Sequence, residues 1–240
     1  MILTEEEKQR YRRNILVPEI GEVGQLKLKQ ASVLIVGVGG LGSPVALYLS
    51  AAGIGRIGLI DGDCVDMSNL QRQVSHFTSD IGKTKVLSAK EKMLALNPNI
   101  NIETYTEFID EVNAEQIISQ YDFIIDATDR NATKFLINDI CVKLKKPYSH
   151  GSIYVNQGHV MTILPGTACY RCLFDSMPDD YGEKGQFGVV PGIIGMIQAT
   201  ETIKYIVGMG ELLTNRLLMY DAVSMTFTEL KINKRSDCLN

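Results

Sequence analysis

The chain has 240 residues, with 24 lysines and arginines against 28 aspartates and glutamates, a formal net charge of −4. Hydrophobic residues make up 45% and charged residues 22%, the balance of a folded globular protein and not of a disordered tail. A mildly acidic total also argues against a nucleic-acid coat or a membrane-surface binder, because both need a basic field.

The opening MILTEEEKQRYRRN is charged at once and lacks the apolar core of a signal peptide. The five cysteines are too few and too unevenly spaced for a disulfide framework, so the reading is a cytoplasmic, reducing compartment. The first 30 residues predict two short helices, with Thr4 as the N-cap before Glu5, Glu6 and Glu7. No charge then appears over the 24 residues 32–55, long enough for a bilayer span of about 20 residues. Gly37, Gly39, Gly40, Gly42, Pro44, Gly53 and Gly55 interrupt that run where a strand should turn into a helix. A buried strand, a loop and a helix fit it better than a span.

Ser32–Val36 is a short β-branched run suited to a strand covered on both faces. A helix over 44–52 and a second buried strand at Arg56–Ile60 follow. Residues 83–96 show helical spacing in Val86, Leu87, Met93 and Leu94. Asn101–Tyr105 predicts a strand, 113–119 a helix, Phe123–Asp126 a strand and 132–144 a helix stopped before Pro147. Strands alternating with helices predict a largely parallel sheet. From Pro147 the texture changes, and 148–153, 159–164, 217–220 and 225–230 predict antiparallel strands that extend the same sheet. Residues 174–188 hold Asp175, Asp179, Asp180 and Glu183 and read as a mobile acidic loop. The apolar helix around 193–207 reads as core and dimer contact.

Gly37-Val38-Gly39-Gly40-Leu41-Gly42 matches G-x-G-x-x-G between a strand and a helix. There, glycines let the backbone approach a pyrophosphate and the helix N-terminus supplies N–H donors. Asp61 follows the second strand, 19 residues past Gly42, where a carboxylate can accept hydrogen bonds from ribose hydroxyls. This pattern alone leaves NAD and ATP both open. Asp63, the stretch Ser68-Asn69-Leu70-Gln71-Arg72-Gln73, and Lys83 and Lys85 come next. Arg72 and Lys85 bring more positive charge than a diphosphate bridge on a helix N-terminus requires, and suit a triphosphate attacked at its α-phosphorus. Either cation alone is an ordinary solvated surface residue, so the argument rests on the set. Asp129 closes the fourth strand, at the edge where open parallel sheets bind ligands, and can hold Mg²⁺ or cap the next helix. Cys169-x-x-Cys172 has the spacing of zinc ligands, or of two buried structural cysteines. Cys64 and Cys141 read as core or near-core, and His76, His150 and His159 show no ligand spacing.

GVGGLGSP, Asp61, SNLQRQ, Lys85, Thr128-Asp129 and Cys169-Tyr-Arg-Cys172 together resemble the ThiF/MoeB/HesA family of ubiquitin-activating-enzyme-like adenylyltransferases, from about residue 11 to residue 238. The resemblance implies a single α/β domain over 1–240 with a Rossmann-like mixed sheet, a parallel nucleotide-binding half extended by antiparallel strands, and helices on both faces. It assigns 1–30 to N-terminal helices, 31–150 to the nucleotide half and 151–240 to a carrier-binding and zinc-site half. It implies a homodimer that uses ATP and Mg²⁺ to adenylate the C-terminal glycine of a ubiquitin-like sulfur-carrier protein ending in Gly-Gly, for thiamine or molybdopterin sulfur chemistry, with a sulfur-donor protein as a further partner. By position, Gly40, Asp61, Asn69, Arg72, Lys85 and Asp129 would bind ATP and its metal, and Arg13 would reach the partner subunit's ATP site. Family members complete a zinc site with a second C-x-x-C. Here Cys238 stands where the second pair would begin and the fourth ligand would fall one residue past Asn240, which leaves a shortened chain, a three-cysteine site that takes water or another ligand, or no zinc.

Two departures stand out. Residues 184–187 carry no cysteine, against a covalent carrier–enzyme intermediate there, and Arg130 stands where the family commonly has asparagine. The rival readings are an NAD-dependent oxidoreductase, a non-catalytic carrier-binding scaffold and a tRNA-modifying relative.

Overall fold

The computed structural model describes residues 2–176 and 185–240. Three helices precede the first strand where two were expected: α1 (Glu5–Arg10), α2 (Arg12–Ile15) and α3 (Gly21–Gln30). Thr4 caps α1 in a reciprocal capping box: its hydroxyl accepts the Glu7 N–H at 3.2 Å, while the Glu7 carboxylate accepts the Thr4 N–H at 2.8 Å. Tyr11, with φ −94° and ψ 10°, leaves helical geometry and divides α1 from α2, and Pro18 follows soon after α2.

The sheet is built from β1 (Ser32–Val36), β2 (Arg56–Ile60), β3 (Asn101–Tyr105), β4 (Phe123–Asp126), β5 (Tyr148–Tyr154), β6 (Gln157–Ile163), β7 (Arg216–Asp221) and β8 (Thr226–Lys231). Its order is β3-β2-β1-β4-β5-β6-β7-β8, parallel from β3 to β5 and antiparallel from β5 to β8. The expected strands are all present, with ends that differ by a residue or two.

Side-chain alternation explains why the parallel strands read as unbroken apolar runs. On β1, Val33 and Ile35 join one core and Leu34 and Val36 the other, and all four are buried. The first core lies against α4 (Gly42–Ala52), α5 (Lys85–Leu96) and α9 (Val189–Val207) through Val45, Leu49, Val86, Met93 and Ile194. The second lies against α6 (Ala114–Ser119), α7 (Asn131–Leu144) and the short α8 (Tyr170–Leu173) through Ile118, Ile137 and Cys169. Helix α9 starts earlier than expected because Pro191 falls in its first turn, where a missing N–H costs no helical bond. Most of the acidic loop expected at 174–188, including Asp179, Asp180, Glu183 and Lys184, lies outside the described residues. Among the described residues, no helix is long and apolar enough to cross a membrane.

Strand order reverses at β1, which pairs with β2 on one side and β4 on the other. The carboxyl ends of these strands therefore frame the crevice in which open α/β sheets bind ligands.

Candidate active site

The glycine turn lies between β1 and α4. Gly37 has φ +89°, a left-handed geometry that disfavours any side chain, and a methyl there would fall 2.8 Å from the Ala127 carbonyl oxygen. A methyl at Gly42 would sit 1.9 Å from the Gly37 carbonyl oxygen, so the turn closes onto the helix too tightly for any other residue. The peptide at Val38 is held at both ends. Its N–H donates to Asp61 Oδ2 at 2.7 Å, and its carbonyl oxygen lies 3.0 Å from His76 Nε2.

Asp61 is buried, and its other oxygen accepts the Asp63 N–H at 2.9 Å. Burial raises its pKa, opposed by the Lys85 charge and by the Val38 and Asp63 amides. Lys85 is buried too. Its ammonium lies 2.7 Å from Asp63 Oδ2, so within this chain it stands with the two carboxylates at the end of β2. Arg72 stands on the other side of the turn: a methyl at Gly40 would lie 3.5 Å from Arg72 Cδ. Arg72 Nη1 donates to the Ser68 carbonyl at 3.0 Å. Asn69 Oδ1 accepts the Asp66 N–H at 3.3 Å, which makes its side chain part of the loop's own capping.

Gln73 is buried beside Gly39, with its Oε1 lacking a protein hydrogen-bond partner, and Thr84 Oγ1, next to Lys85, is in the same condition. A polar ligand fits such orphaned groups better than an apolar lining does. Asp129 is exposed at the end of β4, one residue outside α7, whose N-cap is Arg130 with no side-chain cap bond. Its carboxylate is the type of donor a hard cation such as Mg²⁺ takes.

From Arg72 a cleft of about 860 Å³ runs along α9, lined among others by Gln71, Phe187, Ile193, Met196 and Phe227. It is apolar and open.

Arg13 is not brought to this site within the chain. It is exposed on α2, next to Tyr11, whose ring packs against Gly53 at the C-terminal end of α4. The glycine turn is at the opposite end of that 11-residue helix, about 16 Å away along its axis.

The three thiols meet on the second core's side. Cys169 Sγ lies 3.9 Å from Cys172 Sγ and 3.5 Å from Cys238 Sγ. The edge of a tetrahedron with bonds of about 2.3 Å is about 3.8 Å, so the set fits three ligands of a zinc ion. Burial, with the adjoining thiols, pushes Cys169 up to about 12, whereas for Cys172 burial is outweighed by hydrogen bonds, the Arg235 N–H foremost, which hold its thiol below the usual range. Cys141 is buried as expected. Cys64 is exposed instead, because it sits in the loop after β2 and not on a strand.

A sequence profile described as the ThiF family matches residues 11–240. The chain belongs to the ThiF family. Among its ThiF relatives, a Thermus thermophilus protein named sulfur carrier protein adenylyltransferase is 41% identical, over 98% of this chain and 91% of that one. An Aedes aegypti protein named adenylyltransferase and sulfurtransferase MOCS3 is 46% identical over 98% of this chain, and the chain spans 56% of its length. A solved structure of E. coli MccB with AMPCPP and MccA superimposes with a TM-score of 0.88 at 25% identity, covering 98% of this chain and 74% of that one.

Sequence reasoning missed three buried residues of this ThiF chain. His76 clamps the glycine turn. The buried His150 lies 2.8 Å from Asp126 and 3.2 Å from His159. Lys134 lies 3.2 Å from Asp126 and 2.7 Å from the Gly151 carbonyl. Asp126 Oδ1 also accepts the Thr128 N–H and hydroxyl, which fixes the turn that presents Asp129. Burial pushes Asp126 up, but Lys134, His150 and Thr128 outweigh it and hold the carboxyl well below the usual range. The proximity of His76 to SNLQRQ was the one available signal. Asp126 and His150 are register partners, which only the strand pairing reveals.

Proposed function

We propose that this protein is an ATP-dependent adenylyltransferase that activates the C-terminal glycine of a small ubiquitin-like sulfur-carrier protein. The observation that carries the reading is the polarity of the crevice. Arg72 packs against Gly40 and buried Asp61 accepts the Val38 N–H, so a cation and a carboxylate flank one glycine turn. A nucleoside triphosphate would set its phosphates toward the first and its ribose toward the second. Gly37, Gly39, Gly40 and Gly42 would admit the phosphates, Asp61 and Asp63 would take the ribose end, and Asn69 would order the Arg72 loop. Relatives named adenylyltransferases at 41% and 46% identity over nearly the whole chain support the same class of reaction.

The carrier's tail would lie in the apolar cleft and end beside Arg72. Its carboxylate is ionised at neutral pH, so no general base is needed. It attacks the α-phosphorus, the bond to the bridging oxygen breaks, and pyrophosphate leaves with the electron pair. The product is an acyl-adenylate ready for a sulfur nucleophile. The chain's task is to bring two anions together, and Arg72 and Lys85 offset their repulsion. Asp129 would hold the Mg²⁺ that accompanies the triphosphate and neutralises part of its charge. Cys169, Cys172 and Cys238 would hold a structural zinc ion.

The protein would work as one domain and as a homodimer, with Arg13 serving the other subunit's site, as the distance of α2 from its own glycine turn supports. Thiamine or molybdopterin sulfur chemistry in the cytoplasm, with a sulfur-donor protein downstream, is the setting this reading fits. An oxidoreductase reading would leave Arg72 and Asp129 without a common purpose. The test is mass spectrometry of a Gly-Gly-ending carrier after incubation with protein and ATP. An adenylate on the last glycine is expected. An unmodified carrier, with no carrier-dependent pyrophosphate exchange, would overturn the proposal.

A further inference from the structure

We propose that Phe108 and Arg130 form a stacking clamp for the nucleotide's base and make the site prefer a purine over a pyrimidine. This inference rests on the ATP reading above. The two residues come from different strand ends: Phe108 follows β3, and Arg130 follows β4, on the far side of β1 and β2 in the sheet order. They nevertheless meet, with the Arg130 guanidinium carbon 5.7 Å from the Phe108 ring centroid. The pair therefore arches over the carboxyl ends of the strands that carry the glycine turn and Asp61.

Phe108 has no core role to explain its position, since it is 55% exposed. Its ring instead lies on the backbone of Gly62, where a methyl would fall 2.7 Å from the ring. Gly62 directly follows Asp61, the carboxylate assigned to the ribose. A base continuing outward from that ribose, away from the phosphates over Gly37–Gly42, arrives at Phe108 and Arg130. The Asn113 amide donates to the Phe108 carbonyl at 2.9 Å and steadies the loop from below.

A phenyl face and a guanidinium plane are the two surfaces on which nucleobases stack without regard to their hydrogen-bonding edges. A flat ring held between them needs about 7 Å, two van der Waals contacts of roughly 3.5 Å. Arg130, exposed and attached by a flexible stem, supplies the difference from 5.7 Å by a small outward swing. A two-ring purine covers both walls and a one-ring pyrimidine covers less. The arginine that departs from the family pattern thereby acquires a function.

The experiment compares the intact protein with Phe108→Ala, Arg130→Ala and Arg130→Lys. It measures KM and kcat for ATP and CTP in carrier-dependent pyrophosphate exchange, and quenching of etheno-ATP fluorescence on binding. All three variants should melt like the parent, since both side chains are exposed. KM for ATP should rise by about 5- to 100-fold, with kcat changed by less than about twofold. KM for CTP should hardly move, and the quench should weaken. Arg130→Lys keeps the charge but loses the plane, so it should behave as Arg130→Ala does. If it behaves as the parent, Arg130 acts as a point charge on phosphate and the clamp is refuted. Parent-like ATP and CTP constants in all variants of an active protein would refute the clamp and leave adenylation standing. Quenching that depends on both residues in a protein without exchange activity would keep the clamp and remove adenylation.

Discussion

His76 Nε2 lies 3.0 Å from the carbonyl oxygen of Val38, inside the glycine turn. Its other ring nitrogen faces Ser88 Oγ at 2.9 Å. A ring that donates to the carbonyl must be protonated at Nε2, so its Nδ1 accepts from the Ser88 hydroxyl. Burial pushes its pKa down, so the ring is neutral near pH 7. His76 is thus a positioning residue. His76→Leu leaves the buried Val38 carbonyl only the long contact from the Ser43 hydroxyl at 3.5 Å, and is expected to cost about 1–3 kcal/mol in urea unfolding and to raise KM for ATP more than it lowers kcat. His76→Gln, which keeps an N–H donor, should recover much of both. Equal KM values in His76→Leu and the parent would refute the role.

Among the described residues the Arg72 side chain makes one hydrogen bond, to the Ser68 carbonyl, and is half-buried against Gly40. Arg72→Ala is therefore expected to abolish carrier-dependent pyrophosphate exchange and shift the melting temperature little. Retention of most of the exchange would remove Arg72 from the site.

Arg13 and Asp129 lie in different parts of one chain, so their variants should complement if the arginine acts across a dimer. Arg13→Ala and Asp129→Ala should each be inactive alone. After subunit exchange, a mixture should regain activity, because one of the two sites in a heterodimer is then whole. Proven heterodimers with no activity would argue that Arg13 serves its own chain or nothing.

His159 is pushed from 6.5 down to about 3, first by burial, then by His150 and the Lys134 charge. Burial pushes His150 and His76 down as well. Between about pH 6.5 and 3 the unfolded chain binds protons at position 159 that the folded chain refuses, so stability falls as pH falls through that window. At pH 5 the His159 contribution alone is about 2 kcal/mol. The melting temperature should drop from pH 7 to pH 5, and His159→Asn should flatten the drop. An equally steep fall in the variant would place the proton uptake elsewhere.

The three-thiol cluster gives a metal prediction. Purified protein should contain about one zinc per chain. Cys169→Ser should lose the metal and melt earlier, while Arg72→Ala keeps it. Metal-free protein with the parent's melting temperature would leave the cluster as three packed thiols.

Much of this architecture was legible because its strands are short and buried on both faces. Val33, Leu34, Ile35 and Val36 read as one apolar run, and each found a core on its own side of the sheet. The glycine turn and Asp61 were legible because phosphate geometry demands small residues and an acid at fixed intervals. The internal wiring was not. The contacts of His76 with Val38 and of His150 with Asp126 join residues distant in the chain, and sequence spacing carries no trace of such pairs. Lys85 was read as a cation for the triphosphate, but its pairing with Asp63 was not legible, because it depends on how the loop after β2 folds back to α5. The third N-terminal helix was not legible because the break at Tyr11 that divides α1 from α2 carries no glycine or proline to mark it.

Strand β5 has a parallel neighbour in β4 and an antiparallel one in β6, and so belongs to both halves of the molecule. Cutting the chain between β5 and β6 would strip a central strand of one partner and expose buried residues such as Tyr148, Ser149 and His150 along a bare edge. Such an edge invites pairing with other molecules. The glycine-turn portion therefore cannot be lifted out as a portable cassette, and any transplant of this chemistry into another scaffold has to take the later strands along with it.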